Sequence, residues 1–126
     1  VKRNLIAGAG GLFRLPRAIG QAAAMEIILT GEPLPAQRAY ELGLVNHVVP
    51  DGQALNKARE IAQRIARNGP LAVKGILATL RETEAMPEAD AFTIEMKHGG
   101  KVMQSKDAGE GPRAFLEKRD PVFTGE

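Results

Sequence analysis

Apolar positions recur at helical spacing over most of the chain, in segments that glycine and proline separate. In the segment 51–68 the apolar side chains fall three or four positions apart: Leu55, Ala58, Ile61, Ala62, Ile65 and Ala66. Such spacing places them on one face of an α-helix, with polar side chains on the other. The segment therefore predicts an amphipathic helix whose apolar face must be covered.

The same criteria predict six further helices. Their ranges are 12–19, 21–30, 35–43, 70–80, 87–103 and 107–119. The fifth contains Gly99-Gly100, and because each glycine costs roughly 1 kcal/mol relative to alanine in a helix interior, a break or kink is expected there. Asp107, with Glu110 three positions later, is expected to cap the last helix. An extended tail is expected from Asp120-Pro121 onward.

One segment predicts a strand. Residues 44–49 read Leu-Val-Asn-His-Val-Val and are followed by Pro50. A single strand has no partner unless residues 1–6, which are expected to be extended or irregular, or a missing segment pairs with it. The chain is therefore predicted to be mainly α, with at most one or two short strands, and to be part of a larger fold or assembly.

Composition narrows the class of protein. With 126 residues, 44% of them hydrophobic and 25% charged, the chain falls in the range of one soluble domain. No apolar run approaches the roughly 18 residues of a membrane span, and no signal-peptide core begins the chain, so a soluble, cytoplasmic protein without a membrane partner is expected. The absence of cysteine excludes disulfide frameworks, thiolate zinc sites and cysteine nucleophiles.

The charge pattern does not favour a nucleic-acid partner. Seventeen Lys and Arg against fifteen Asp and Glu leave a formal net charge of +2, and the basic residues are dispersed. Because nucleic-acid binding favours a focused basic face with stacking aromatics, the five dispersed aromatic residues make it a weak hypothesis. The two histidines cannot form a metal site alone. We expect His47 to be a structural imidazole and His98 to face solvent.

Several short motifs follow one another in a fixed order along the chain. The first are Gly8-Ala9-Gly10-Gly11 and Arg14-Leu15-Pro16-Arg17. The later ones are Ala24-Met25-Glu26, Leu29-Thr30-Gly31, Ala36, Ala39, Gly43-Leu44-Val45, Val48-Val49-Pro50, Asn68-Gly69-Pro70 and Ala114-Phe115-Leu116-Glu117-Lys118-Arg119. In this order the motifs resemble the enoyl-CoA hydratase/isomerase (crotonase) family over nearly the whole chain.

The resemblance implies a parent enzyme that acts on acyl-CoA thioesters. The parent core would be a spiral of β-β-α turns followed by a helical region used in trimer assembly, and this chain resembles the C-terminal half. Residues 1–20 would be the end of the spiral core with its Gly-rich active-site loop, and residues 21–126 the helical assembly region. No separate cofactor is implied, because coenzyme A is part of the substrate. The parent would be a homo-oligomer, either a trimer or a dimer of trimers.

The resemblance also implies that the catalytic residues lie outside this chain. Hydration of a 2-enoyl thioester needs a carboxylate to activate water, an acid to protonate the α carbon and donors for the enolate oxygen. In the family the two oxyanion-hole amides and one glutamate lie upstream, and the other glutamate would immediately precede Val1. No catalytic residue is therefore assignable here, and the carboxylates of Glu26, Glu32 and Glu41 are expected to be structural or solvated.

The Gly-rich loop matches the family's active-site loop, formed here by Gly8, Ala9, Gly10 and Gly11. Gly8 matches a glycine whose backbone helps to hold the water between the two glutamates, which a residue without a side chain allows. For Gly10 and Gly11 a tight turn is the favoured interpretation. A phosphate-binding loop is poorly supported, because no Gly-Lys-Ser/Thr follows.

Phe115 and Lys118 match family positions near the adenine and phosphate of coenzyme A. Three residues apart, they are expected on one face of the last helix. An aromatic surface and an ammonium group suit an anionic nucleotide. A core phenylalanine beside a solvated lysine is an equal alternative.

Two hypotheses about function follow. The first is the C-terminal part of an enzyme that hydrates 2-enoyl-CoA, inactive by itself, with isomerisation, decarboxylation and thioester hydrolysis left open for the parent. Val1 in place of an initiating methionine favours a fragment or a processed product. The second is a short, non-enzymatic helical module for oligomerisation or partner binding.

Overall fold

A computed structural model describes residues 1–126 and contains seven α-helices and no β-strand. The helices are α1 (Gly11–Ile19), α2 (Gln21–Thr30), α3 (Ala36–Glu41), α4 (Ala54–Ala66), α5 (Pro70–Glu82), α6 (Glu88–Met103) and α7 (Glu110–Glu117). A 3₁₀ turn, Lys106–Gly109, lies between α6 and α7. The prediction of a mainly α chain is confirmed. None of the helices has the length and apolar character needed to cross a membrane.

Glycine and proline set the ends of several helices. α2 has the predicted bounds, with Gly20 before its first residue and Gly31 after its last. The Gly31 N–H donates to the Ile27 carbonyl at 3.0 Å, which satisfies a carbonyl of the last turn. α5 begins at Pro70, because the fixed φ of proline suits the first turn and its missing N–H is not needed there.

The chain divides into two compact units, residues 1–57 and 58–126. In the first unit α1 packs against α2. In the second unit α5 packs against α6, and α7 packs against the 3₁₀ turn. The division at residue 20 that the resemblance implies concerns the parent fold, and it stays a prediction.

The α5–α6 pair corrects two predictions in the second unit. α6 continues through Gly99-Gly100 without a break, because packing against α5 offsets the low helix propensity of the two glycines. The helices approach closely at Gly75, where a Cβ would lie only 3.2 Å from Val102 Cγ2. His98 does not face solvent. Its ring is 13% exposed and Nε2 lies 3.0 Å from Oε1 of Glu82, the last residue of α5.

The predicted strand at residues 44–49 is wrong. The segment is irregular, and no neighbouring strand offers its backbone a ladder of hydrogen bonds. Its first residue, Leu44, instead donates its N–H to the Ala39 carbonyl at 2.8 Å, closing the turn after α3. His47 is exposed and its ring makes no hydrogen bond, so the prediction of a structural imidazole is also wrong.

The buried core of the chain is very small. Only three residues are buried, and all are alanines: Ala24, Ala39 and Ala114. The predicted amphipathic helix α4 leaves its apolar face open, with Leu55 59% and Ile65 48% exposed. Because burial of large apolar side chains is the main favourable contribution to folding, these faces need a cover that the chain itself does not provide.

Candidate functional site

Local backbone bonds shape the Gly-rich loop, residues 8–11, in the first unit. The Gly8 N–H donates to the Ile6 carbonyl at 2.8 Å, and the Gly11 N–H donates to the Gly8 carbonyl at 3.2 Å. Ala9 and Gly10 have φ values of 54° and 100°. The loop leads directly into α1, whose first residue is Gly11.

The glycines of this loop have different steric surroundings. At Gly8 an added Cβ would meet nothing within 4 Å, and Gly8 does not have a positive φ. At Gly10 the φ of 100° disfavours any L side chain, and a Cβ would lie 3.1 Å from the Arg14 guanidinium. At Gly11 a Cβ would lie 3.3 Å from the Ala7 Cβ. The turn therefore favours glycine at Gly10, whereas the open space at Gly8 leaves room for another molecule.

A cationic surface adjoins the loop. The guanidinium carbons of Arg14 and Arg17 each lie 5.5 Å from the centre of the Phe13 ring. This distance permits a cation–π interaction with both arginines, which lie in the first and last halves of α1. The arginines thus place two positive charges on the surface of the helix that follows the loop.

The three glutamates of the first unit, which are expected to be structural or solvated, all lie on its surface. Glu32 accepts a hydrogen bond from Lys2 Nζ at 2.6 Å, and Glu41 accepts one from Arg38 at 3.3 Å. Glu26 is exposed in α2. No three His, Asp or Glu side chains of the chain are grouped as a metal site would require.

Phe115 and Lys118 lie at the end of α7 in the second unit, and the structure corrects their predicted relation. Phe115 is 82% exposed, so no other part of this chain covers its ring. The helix ends at Glu117 instead of continuing to Arg119, and Lys118 lies just beyond it with φ 55° and ψ 40°. Lys118 therefore follows the helix in a left-handed turn and does not share a helical face with Phe115.

Two backbone hydrogen bonds close this turn. The Lys118 N–H donates to the Phe115 carbonyl at 3.3 Å, and the Arg119 N–H donates to the Ala114 carbonyl at 3.1 Å. Together they form the Schellman pattern of a helix C-terminus, in which the left-handed residue is usually glycine. The Lys118 ammonium makes neither an ion pair nor a hydrogen bond.

Asp107 holds the tail, residues 120–126, instead of capping a helix. Its Oδ1 accepts hydrogen bonds from the Thr124 N–H at 2.8 Å and the Thr124 hydroxyl at 3.0 Å, and its Oδ2 accepts one from the Gly125 N–H at 2.7 Å. The Thr124 N–H is the largest cause that lowers the pKa of Asp107, since each bond favours the ionised carboxylate. The predicted helix cap is therefore wrong.

Glu110 forms the second contact with the tail. Its two oxygens accept hydrogen bonds from Nη1 and Nη2 of Arg119 at 2.6 and 3.1 Å, and Oε1 also accepts the Val122 N–H at 2.8 Å. The bonds from Arg119, followed by that from Val122, lower the pKa of Glu110 to about 2. The same carboxylate, with that of Glu117 at 2.5 Å from Arg119 Nε, raises the pKa of Arg119 above its usual range.

Sequence reasoning did not identify the roles of Asp107, Glu110 and Arg119 in holding the tail. The only available signal was two acids three positions apart with an arginine nine positions after the second. That spacing matches a capping box equally well, so it does not by itself indicate a contact with the tail. The Gly-rich loop belongs to the first unit, and Phe115 and Lys118 belong to the second.

An apolar groove runs between α5 and α6. Its volume is about 420 Å³. Its lining includes Ala72, Gly75, Ile76, Leu80, Gly99 and Met103. Leu80 is 65% and Met103 75% exposed, so the groove is a further apolar surface without a cover inside the second unit.

Comparison with known families decides the affiliation. The model of the enoyl-CoA hydratase/isomerase family matches residues 2–126. The chain belongs to this family. The resemblance inferred from the motifs is confirmed, and the helices α1–α7 are part of a crotonase-type fold.

Several relatives support the affiliation. Enoyl-CoA hydratase EchA19 of Mycobacterium tuberculosis is 53% identical over 122 residues, covering 97% of this chain and 46% of the relative. Carnitinyl-CoA dehydratase of Escherichia coli is 38% identical over 128 residues, covering 98% of this chain and 49% of the relative. The chain thus spans about half the length of the curated relatives it matches.

Solved structures show the same correspondence. The crystal structure of an enoyl-CoA hydratase from Mycobacterium tuberculosis H37Rv matches with a TM-score of 0.92 and 47% identity, over 99% of this chain and 50% of that one. An enoyl-CoA hydratase from Bacillus anthracis matches with a TM-score of 0.93 and 42% identity, over 99% and 48%. The exposed apolar faces of this chain belong to a segment that corresponds to half of these larger structures.

Proposed function

We propose that this chain is the C-terminal part of an enoyl-CoA hydratase/isomerase whose whole polypeptide adds water across the double bond of 2-enoyl-CoA thioesters. The observation that carries the proposal is the match over residues 2–126 to relatives of about twice the length, two of which are named for hydratase or dehydratase activity on CoA compounds. The chain by itself is expected to be inactive, because none of its carboxylates is assigned to the reaction.

The Gly-rich loop supplies backbone to the proposed site. Open space at Gly8 allows a water molecule or an acyl group to approach the main chain. Gly10 fixes the turn that leads into α1. In this proposal the loop positions the reacting water, while the two glutamates and the oxyanion-hole amides come from the remainder of the parent enzyme.

Phe115 and Lys118 supply the proposed contact with coenzyme A. The Phe115 ring is 82% exposed and can stack on an adenine, and the unpaired Lys118 ammonium can attract a phosphate. Coenzyme A is then part of the substrate, and no separate cofactor is proposed. Acyl-CoA thioesters are the proposed substrate class.

The uncovered apolar faces support a proposal of assembly. α4 and the α5–α6 groove expose leucine, isoleucine and methionine side chains that a stable protein buries. We propose that the parent is a homo-oligomer, a trimer or a dimer of trimers, in the cytoplasm. The same faces favour the second candidate function, a non-enzymatic helical module that binds copies of itself or another protein.

The deciding experiment is the intact denatured mass of the protein purified from its native source, followed by an assay for hydration of a short 2-enoyl-CoA. A clearly heavier polypeptide that consumes the conjugated double bond supports the proposal. A mass of 13.5 kDa without turnover would instead favour the helical module. A heavier polypeptide that binds coenzyme A and does not hydrate would contradict the proposed reaction and retain the substrate class.

A further inference from the structure

One residue of the proposed contact with coenzyme A, Lys118, has a disfavoured backbone conformation. Lys118 has φ 55° and ψ 40°, a conformation that glycine adopts far more readily than a residue with a Cβ. It directly follows the helix that carries the exposed Phe115 ring. Other interactions must therefore hold Lys118 in this conformation, and they determine where its ammonium group lies.

The interactions that hold the Lys118 backbone are made by the next residue, Arg119. The Arg119 guanidinium donates to both carboxylate oxygens of Glu110, to Glu117 Oε2 at 2.5 Å and to the Asp120 carbonyl at 3.1 Å. Two of these acceptors lie on α7 and one lies in the tail. The backbone on the C-terminal side of Lys118 is thus tied to the helix on its N-terminal side.

Glu110 links the start of α7 to the residues that follow Lys118. It is the first residue of α7, whereas Lys118 follows the last, and its Oε1 also accepts the Val122 N–H at 2.8 Å. Glu110 therefore joins the start of the helix to both Arg119 and the tail, with the Lys118 turn between them. Its side chain is 12% exposed and both oxygens are occupied, so it has little capacity to bind a ligand directly.

We infer that Glu110 is a positioning residue for coenzyme A: through Arg119 and the Val122 amide it fixes the left-handed turn at Lys118 and so places the Lys118 ammonium at the end of the helix that carries Phe115. This inference rests on the proposed contact of Phe115 and Lys118 with coenzyme A. It assigns to the Glu110 carboxylate a role in substrate affinity without contact with the substrate.

Whether Glu110→Gln weakens or tightens coenzyme A binding distinguishes a positioning role from a purely electrostatic effect. Glu110→Gln removes one negative charge near the proposed binding place of an anionic ligand. General Coulomb attraction then predicts tighter binding of coenzyme A. Positioning predicts weaker binding, because the amide side chain cannot form the charge-assisted pair that holds Arg119.

The test uses the full-length protein from the mass measurement and titrates it with coenzyme A by calorimetry. We expect Glu110→Gln to raise the dissociation constant about threefold to tenfold. In the hydration assay KM should rise similarly while kcat stays unchanged. Asp120→Asn is the matched control, since it removes the same charge two positions from Lys118 while the bonds of Arg119 to Glu110, to Glu117 and to the Asp120 backbone carbonyl stay intact. Its dissociation constant should remain within about twofold of the parent value.

A double-mutant cycle shows whether Glu110 acts through Lys118. In a Lys118→Ala background, Glu110→Gln should cause no further loss of affinity. If Lys118→Ala alone leaves affinity unchanged, the proposed coenzyme A contact is wrong. If Lys118→Ala weakens binding but Glu110→Gln does not, or weakens it equally in both backgrounds, the contact stands and the positioning role is wrong.

A second variant covers the case in which Glu110→Gln does not fold. Arg119→Lys keeps the positive charge and leaves the Val122 bond in place, but it loses the paired Nη1 and Nη2 donors that hold both Glu110 oxygens. Its fold is checked by circular dichroism, and it should weaken coenzyme A binding when Lys118 is present but not in the Lys118→Ala background. A folded Arg119→Lys variant with unchanged affinity would overturn the positioning role.

Discussion

The Gly-rich loop and the tail are both irregular, yet different interactions hold them. In the loop the bonds join backbone to backbone, and positive φ values at Ala9 and Gly10 set the shape. In the tail the carboxylates of Asp107 and Glu110 accept three backbone N–H groups, those of Val122, Thr124 and Gly125. The loop is therefore sensitive to an added Cβ, and the tail is sensitive to protonation.

This difference also suits the two proposed roles. A loop that brings backbone close to a small reacting group needs open space, and a Cβ added at Gly8 would meet nothing within 4 Å. A surface that binds a large anionic group needs a cation with a fixed location. Charge-assisted hydrogen bonds provide that location without adding a side chain to the binding surface.

Acid should produce the largest effect, the loss of the carboxylate bonds that hold the tail. Glu110 has an ordinary pKa of 4.5 and a folded pKa of about 2, and the pKa of Asp107 is also lowered. A lowered folded pKa stabilises the fold above the ordinary pKa, and this stabilisation is lost as pH falls through the folded pKa. The protection that these bonds give to the tail amides should persist at pH 5 and above, decrease below about pH 4.5 and be lost near pH 2.

Hydrogen exchange of the Val122, Thr124 and Gly125 amides, corrected for the intrinsic pH dependence, measures this release. The amides of Gly8 and Gly11 are the internal control, because no carboxylate takes part in their bonds. Loss of tail protection already at pH 6, or a parallel loss in the loop, would contradict the distinction between the two segments.

Gly10→Ala should produce the next largest effect, on the loop. A φ of 100° disfavours an L residue, and the added Cβ would press on the Arg14 side chain. We expect a loss of about 1–2 kcal/mol in the free energy of unfolding. Gly8→Ala is the control, and because its Cβ meets open space it should cost less than about 0.5 kcal/mol. Urea unfolding of both variants checks this, and equal midpoints would refute the steric assignment.

Lys118→Gly should have a smaller effect and the opposite sign. Glycine relieves the left-handed conformation at φ 55°, partly offset by its greater entropy in the unfolded chain. We expect a gain of about 0.5–1 kcal/mol in stability together with weaker binding of coenzyme A. Lys118→Ala loses the ammonium but keeps a Cβ, so it should bind weakly without the gain. A destabilised glycine variant would mean that the lysine side chain itself supports the fold.

Phe115→Ser should have the smallest effect on stability. A ring that is 82% exposed contributes little to folding, so the change should stay within about 0.5 kcal/mol. Its effect should appear instead in the affinity for coenzyme A, through loss of stacking. Leu116→Ser, at 81% exposure, is the matched control without an aromatic ring. Equal affinities for the two variants would argue against stacking on Phe115.

Local signals in the sequence predicted most of the helices. α2 has the predicted bounds because glycines flank a continuous apolar segment, and α5 begins at the predicted proline. These signals act within one or two turns, so they can be recognised without knowledge of the fold. The family motifs are local in the same sense, which is why their order alone indicated the affiliation.

The predictions that the structure contradicts depend on long-range contacts. Gly99-Gly100 predicted a break because the packing of α5 on α6 cannot be read from helix propensity. Residues 44–49 have the composition of a strand and lack a neighbour to pair with. At Lys118 the sequence predicted which residues form the site but not their backbone conformation. The left-handed turn depends on hydrogen bonds that Glu110, eight positions earlier, accepts from Arg119 and Val122.

Because only three alanines are buried, the stability of this chain depends on the protein concentration as well as on the sequence. Because Ala24, Ala39 and Ala114 are the only buried residues, folding has to gain most of its free energy from surfaces supplied by other polypeptide segments. For the 126-residue chain alone, dilution should then lower the unfolding temperature and concentration should raise it. Any Tm measured on this chain has meaning only with the protein concentration stated beside it.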